Sequence, residues 1–183
     1  MSNNQTILVL VGLPGSGKST GRILNTIKSI GEYDFCYSTD DKIEGYANEV
    51  GSTYNNVFQD YIKTATKLAD AELVEAISNG QDVIWDQTNM SAKKRKKVLD
   101  RFPKNYRKEC VCILPPFDQD QEDELKRRLD SRPGKTIPNY AMRNMRKSFQ
   151  LPSTNEGFNH VHYFDIYGNM IDRNTAADLF GSG

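Results

Sequence analysis

Long apolar runs, a charge imbalance and cysteine are all scarce in this 183-residue chain, and each scarcity excludes something. No run of apolar residues approaches the ~20 needed to cross a bilayer. The opening MSNNQT carries no basic region ahead of an apolar one, so a signal peptide is not expected either. Lys+Arg and Asp+Glu stand at 24 each, so the molecule as a whole exerts no long-range pull on nucleic acid or on an anionic surface. The three cysteines, Cys36, Cys110 and Cys112, are an odd number on strand-like stretches, which suits buried thiols in a reducing, cytoplasmic setting. No second pair at zinc spacing accompanies Cys110-x-Cys112, so packing is the preferred reading. The only two histidines, His160 and His162, alternate along one stretch with no further ligand in evidence, and a place on a sheet surface is expected. Repeats and low-complexity segments are absent.

What is present is an alternation of short apolar runs with helical patterns, which predicts one α/β domain over 1–183 with a mostly parallel sheet. TILVLVG is the first strand, and FCYST is the second, ending at Asp40. A helix is expected over about 55–78, with Phe58, Ile62, Ala65, Ala69, Leu73 and Ile77 on one stripe, closed by Asn79-Gly80. DVIWD, CVCILP and VHYFD follow as strands. Helices are expected from about Ser91, from about Asp118, and from Pro138 as a first helical residue. The tail after Asp165 is read as either a hairpin edge or a short helix. Cations bunch locally at KKRKK (93–97) and KNYRK (104–108), either to hold phosphates or as a solvated face.

The strongest signal is GLPGSGKST, Gly12 to Thr20, lying after a strand and before a helix. Gly12-x-x-x-x-Gly17-Lys18-Ser19 is a complete P-loop. Its glycines, Gly12, Gly15 and Gly17, let the backbone curl so that N–H groups around Pro14, Ser16 and Thr20 turn toward phosphate oxygens. The following helix adds its positive end. Lys18 then reaches the β- and γ-phosphates of a nucleoside triphosphate, and the Ser19 hydroxyl completes a magnesium shell. ATP, or another NTP, and Mg2+ are the expected cofactors. The fold class is therefore a P-loop NTPase: three layers, α/β/α, around a central mostly parallel sheet, with a helical lid at about 126–150. No Asn-Lys-x-Asp string for guanine occurs, which leaves a small kinase as the best match.

A kinase acting on a hydroxyl needs a carboxylate to take its proton. STDDK brings Asp40 or Asp41 to the P-loop's edge, with Asp40 preferred; a helix-capping role is compatible with it. Asp86, closing DVIWD, is a candidate magnesium- or water-holding acid, and Thr88 and Asn89 give polar side chains at the same rim. In RRLDSRPGKTIP, Arg127, Arg128, Arg132 and Lys135 flank a turn; Arg132, ahead of Pro-Gly, fits a lid contact to phosphate best. Arg143 and Arg146 share a helix with Lys147 and line either an acceptor groove or a wet face.

GLPGSGKST, an Asp after the second strand, DQTN after the third, RPGKTIP before a helix and EGF at 156–158 together resemble the kinase domain of 5′-hydroxyl polynucleotide kinases, over about 7–164. These belong to phage and bacterial RNA- and DNA-repair enzymes. The resemblance implies that Lys18 and Ser19 serve ATP and magnesium, that Asp40 is the general base, and that Arg132, with Arg128 as a weaker match, contacts the ATP phosphates. The partner implied is the end of an RNA or DNA strand, with no membrane involved. Two departures stand out. Ile43 occupies the place where such kinases often carry an arginine for the acceptor's 3′-phosphate, and no DxDGT string of the phosphatase domain often fused to them occurs. The alternatives are a kinase for a nucleoside, a nucleotide or a modified DNA base, and a non-catalytic ATP-binding switch module.

Overall fold

The computed structural model describes residues 5–18 and 21–181. β1 (Thr6–Val11) is the innermost strand, and its unbroken apolar run is buried from Ile7 to Val11, as a strand covered on both faces requires. It pairs in parallel with β3 (Val83–Asp86) on one side and β4 (Arg107–Ile113) on the other. β2 (Phe35–Tyr37) flanks β3 and β5 (His160–Phe164) flanks β4, both parallel, and the two-residue β6 (Met170–Ile171) closes that edge antiparallel. The sheet order is β2-β3-β1-β4-β5-β6.

Helix α1 (Gly21–Ile30) covers one face, setting Ile23 and Ile27 against Leu8, Leu10, Val111 and Phe164. The other face carries α3 (Tyr54–Ser78), α4 (Ala92–Leu99) and α5 (Gln119–Asp130), with Ala69, Leu73, Val98, Leu99 and Leu125 over Ile7, Val9, Val83 and both Cys110 and Cys112. This is the three-layer α/β/α architecture expected, and the two cysteines are packing residues within it. Alanines at 65 and 69, both fully buried, let α3 lie close. α3 stops at Asn79 with Gly80 at φ +65°, a left-handed conformation that suits glycine.

Three local expectations shift. β2 ends at Tyr37 rather than running to Asp40, because Ser38 accepts the Asp41 N–H and starts a helix, α2 (Thr39–Glu49). Asp40 therefore sits in a helical first turn. Pro138 is the cap ahead of α6 (Asn139–Ser148), one residue before the helix begins. The tail forms both alternatives, the β6 edge and then α7 (Arg173–Phe180).

Within KKRKK the middle residue departs from its neighbours. Arg95 is fully buried, while the four flanking lysines are exposed. Its guanidinium forks onto Glu156 at 2.8 and 3.1 Å and donates to the carbonyls of Asn89, Met90 and Gln150. One side chain thus ties the loop before α4 to the segment after α6 and to the 154–156 turn. Removing one member of a buried ion pair strands the other, so Arg95→Met should destabilise by about 3–5 kcal/mol. Urea denaturation measures this, and a loss below about 1 kcal/mol would show that the pair carries little of the fold.

Candidate active site

A cavity of about 590 Å³ opens at the carboxyl ends of β1 and β3, lined by 14–18, 38–41, Glu44, Phe58, Ile62, Asp86, Gln87, Thr88, Arg128, Arg132 and Lys135. Its floor is the loop after β1. Gly12 donates its N–H to the Thr88 carbonyl, and a side chain there would collide with Ser16 Oγ at 2.7 Å and press on the Lys18 stem. Gly15 and Gly17 have φ of +78° and +92°, which turns the loop back on itself. Lys18 folds into that turn, Nζ donating to Gly12 O at 3.0 Å and to Gln87 O at 3.3 Å. Burial pushes its pKa down, opposed by the negative charges of Asp86 and Asp40. Ser19 and Thr20, expected to bind magnesium and phosphate, lie outside the described residues.

Asp86 closes β3 at the cavity wall, its pKa raised by burial against the opposing pull of Lys18. Asp41 is likewise pushed up, by burial and then by Glu44 and Asp40. Asp40 is held at both oxygens: the Tyr54 hydroxyl donates to Oδ1 at 2.7 Å and Lys135 Nζ to Oδ2 at 3.1 Å. Lys135 also bonds Glu44 at 2.7 Å and sits 4.4 Å from the Tyr54 ring centroid. Tyr54 and Glu44 had no motif to mark them. Tyr54 reaches Asp40 because α2 and α3 pack around Ile43, Ala47, Val57 and Ala65, while Glu44 stands one helical turn past Asp40 on α2 and meets Lys135. Ile43 is fully buried in that seam, a place where an arginine's charge would be cut off from solvent.

The lid loop is docked on the start of α3. Asn55 bonds Gly134 O and Thr136, and a side chain at Gly134 would meet Thr53 at 2.8 Å. This docking brings Lys135 and Arg132 over the cavity. Among the described residues, Arg132 Nη1 and Ser16 Oγ are buried with no hydrogen-bond partner, two unspent donors at the cavity wall. Arg128 lines the cavity too, but its guanidinium is engaged by Glu124, Ile166 O and the Gly15 and Ser16 carbonyls.

The structure thus gathers Pro14, Gly15, Ser16, Gly17, Lys18, Asp40, Asp41, Asp86, Thr88, Arg128 and Arg132 around one space. It does not bring Asn89, Arg143 or Arg146 there. Asn89 is buried at φ +49°, its amide donating to Leu10 O. Arg146 forks onto Glu122 at 2.7 and 2.8 Å, a strut between α6 and α5, and Arg143 is exposed on α6.

The donor set suits polyphosphate and a hard cation. Buried unpartnered donors, a backbone turn and the carboxylates of Asp86, Asp40 and Asp41 line one space. Magnesium bound with nucleotide needs only one or two carboxylates, the rest being phosphate oxygens and water. Among the described residues no cluster of three or more His, Cys, Asp or Glu is placed to hold a metal without such help. No helix among them is long and apolar enough to cross a membrane.

A family model described as an AAA domain matches residues 7–152. The bifunctional polynucleotide phosphatase/kinase of Schizosaccharomyces pombe is 29% identical over 163 residues, covering 87% of this chain and 33% of that protein, so the chain spans about a third of that relative's length. Among solved structures, one from the PezAT toxin–antitoxin system of Streptococcus pneumoniae aligns with TM-score 0.63 at 13% identity, over 100% of this chain and 80% of the other. A Chloroflexus aurantiacus protein provisionally described as a kinase aligns with TM-score 0.62 at 14% identity, over 97% and 94%. At these identities the two structures speak for the fold.

The half-buried ammonium of Lys18 is held against desolvation. Lys18→Met should weaken ATP binding about tenfold or more by calorimetry, a loss of at least ~1.4 kcal/mol, while the melting temperature holds or rises. A folded Lys18→Met protein binding ATP as tightly as wild type would show that nucleotide does not use this loop.

Proposed function

The chain belongs to the AAA-domain family and has the P-loop kinase fold, and from that premise we propose that it is an ATP- and magnesium-dependent kinase transferring the γ-phosphate to a polynucleotide hydroxyl, the 5′ end of RNA or DNA. The observation that carries the reading is that Asp40 lines the same cavity as Lys18 and Arg132. A binding module has no use for an oriented carboxylate beside its phosphate loop. The nucleic-acid acceptor is supported by the similarity to the fission-yeast polynucleotide phosphatase/kinase over most of this chain.

In the proposed reaction the acceptor hydroxyl enters beside Asp40. Its oxygen attacks the γ-phosphorus, the bond to the β-phosphate oxygen breaks, and ADP leaves in line. Asp40 takes the hydroxyl proton. Tyr54 and Lys135 fix the carboxylate's orientation, and the second lone pair on each oxygen leaves room for the acceptor. Lys18 balances charge on the β- and γ-phosphates, and the unspent Arg132 donor meets the transferring group from the lid. Asp86 would hold magnesium, as would Ser19 by its place in the P-loop pattern, and the ion would supply neutralisation of the phosphate charge. Phe58 and Ile62 give the acceptor side of the cavity an apolar wall.

Transfer from γ-labelled ATP to a panel of acceptors (5′-hydroxyl oligonucleotides of RNA and DNA, free nucleosides, nucleoside 3′-phosphates) tests the reading. Label on oligonucleotide ends is expected; label on free nucleosides in preference would overturn the assignment of the acceptor. Asp40→Asn should lower turnover by about 10²–10⁴-fold with ATP affinity little changed. The same pattern in Asp41→Asn, with Asp40→Asn active, would move the base by one residue. Arg132→Ala should slow transfer, and Arg132→Lys should restore little of it, since a point charge does not reproduce the planar fork. Equal activity in all three proteins would remove Arg132 from the reaction.

A further inference from the structure

Charge is balanced over the chain but not over its surface. Nine of the 24 Lys and Arg fall between Lys93 and Lys108, against one acid, Asp100. Four of those nine are committed: Arg95 to Glu156, Lys96 to Asp100, Arg101 to Asp70, and Arg107 to Glu109. Lys93, Lys94, Lys97 and Lys104 are exposed and form no ion pair among the described residues; the same holds for Arg143 and Lys147 on α6.

The segment that follows α6 meets the start of α4. Gln150, three residues past Lys147, caps α4 by accepting the Ala92 N–H at 2.9 Å and donates its own N–H to Met90 O at 2.9 Å. On α6, Tyr140, Arg143 and Lys147 recur at three- and four-residue spacing and so share one face, and Tyr140 is 63% exposed. On α4, Lys93 and Lys97 share a face with about 6 Å of helix rise between them, comparable to the phosphate step of an extended single strand. α4 begins four residues after Thr88, which lines the cavity, and descends toward Lys104 at the opposite end of the sheet.

We propose that this surface is a binding track for the sugar–phosphate backbone of single-stranded nucleic acid, running from the face of α6 across α4 toward Lys104, with Tyr140 as a stacking platform for a base. Exposed cations interleaved with an exposed aromatic are the means by which single strands are held without sequence preference. A membrane surface fits less well, because the apolar residues of both helices (Val98 and Leu99; Met142, Met145 and Phe149) are packed into the core and leave no stripe to insert. A protein partner also fits less well, since lysine is depleted at the centres of protein interfaces. As the path of the acceptor strand the track rests on the polynucleotide reading above. As a binding surface it does not.

The test is fluorescence anisotropy of the full chain with an end-labelled single strand of about 20 nucleotides over a range of salt. Lys93→Glu/Lys97→Glu is expected to weaken binding at least about tenfold and to reduce the slope of log K against log salt by about 1.4, two contacts at ~0.7 each. Tyr140→Ala is expected to weaken binding about fivefold or more with the slope unchanged, since stacking releases no counterions. The matched reversal Lys28→Glu/Lys67→Glu, at exposed lysines on α1 and α3, controls for net charge. Equal losses in the two double variants, or no binding by the wild type, would overturn the track. Binding that follows the track variants without any labelled product would leave the track standing and the proposed reaction fallen. Labelled product with binding indifferent to Lys93, Lys97 and Tyr140 would do the reverse.

Discussion

A lysine ammonium half-buried in a turn of backbone is the constraint around which this molecule is arranged. Lys18 sits where desolvation works against its charge, and among the described residues the Gly12 and Gln87 carbonyls and the nearby Asp86 and Asp40 offset that cost. Holding it there requires a loop with no side chain at Gly12 and left-handed backbone at Gly15 and Gly17. It also requires β3 beside β1, so that Gln87 and Asp86 arrive at the same height. The unbroken apolar run of β1 and its burial on both faces are what make that height invariant: the strand cannot slip without moving core residues to the wrong layer.

The second organising feature is the lid's attachment. α6 is strutted to α5 by Arg146 and Glu122, α5 is tied to the phosphate loop by Arg128, and the loop between them rests on the start of α3 through Asn55, Gly134 and Thr136. The consequence is chemical as well as mechanical, because Lys135 arrives on Asp40 by this route. A carboxylate gripped by a phenol and an ammonium has a fixed orientation before any substrate comes. The price is that each of these contacts must hold for the site to be assembled.

Arginines of similar appearance in the sequence take different parts. Arg132 keeps an unspent donor for the cavity, Arg128 spends its own on carbonyls, Arg146 is a strut, and Arg95 is a buried staple amid exposed lysines. A guanidinium's five donors suit all four tasks. Which task falls to which residue depends on the carbonyls and carboxylates that folding sets around it.

The sequence by itself determined the architecture and the phosphate loop, because both are encoded locally. Strand runs such as TILVLV and DVIWD, the stripe of α3, and the glycine spacing around Lys18 each state their conformation within a few residues. It also marked Asp40, Asp86 and Arg132 as neighbours of that loop by their places at the ends of elements. Tertiary structure alone decided the rest. Tyr54 met Asp40 across a helix pair, and Lys135 crossed 95 positions of chain to join them. Such contacts come from how distant elements pack, and no local periodicity or spacing records them.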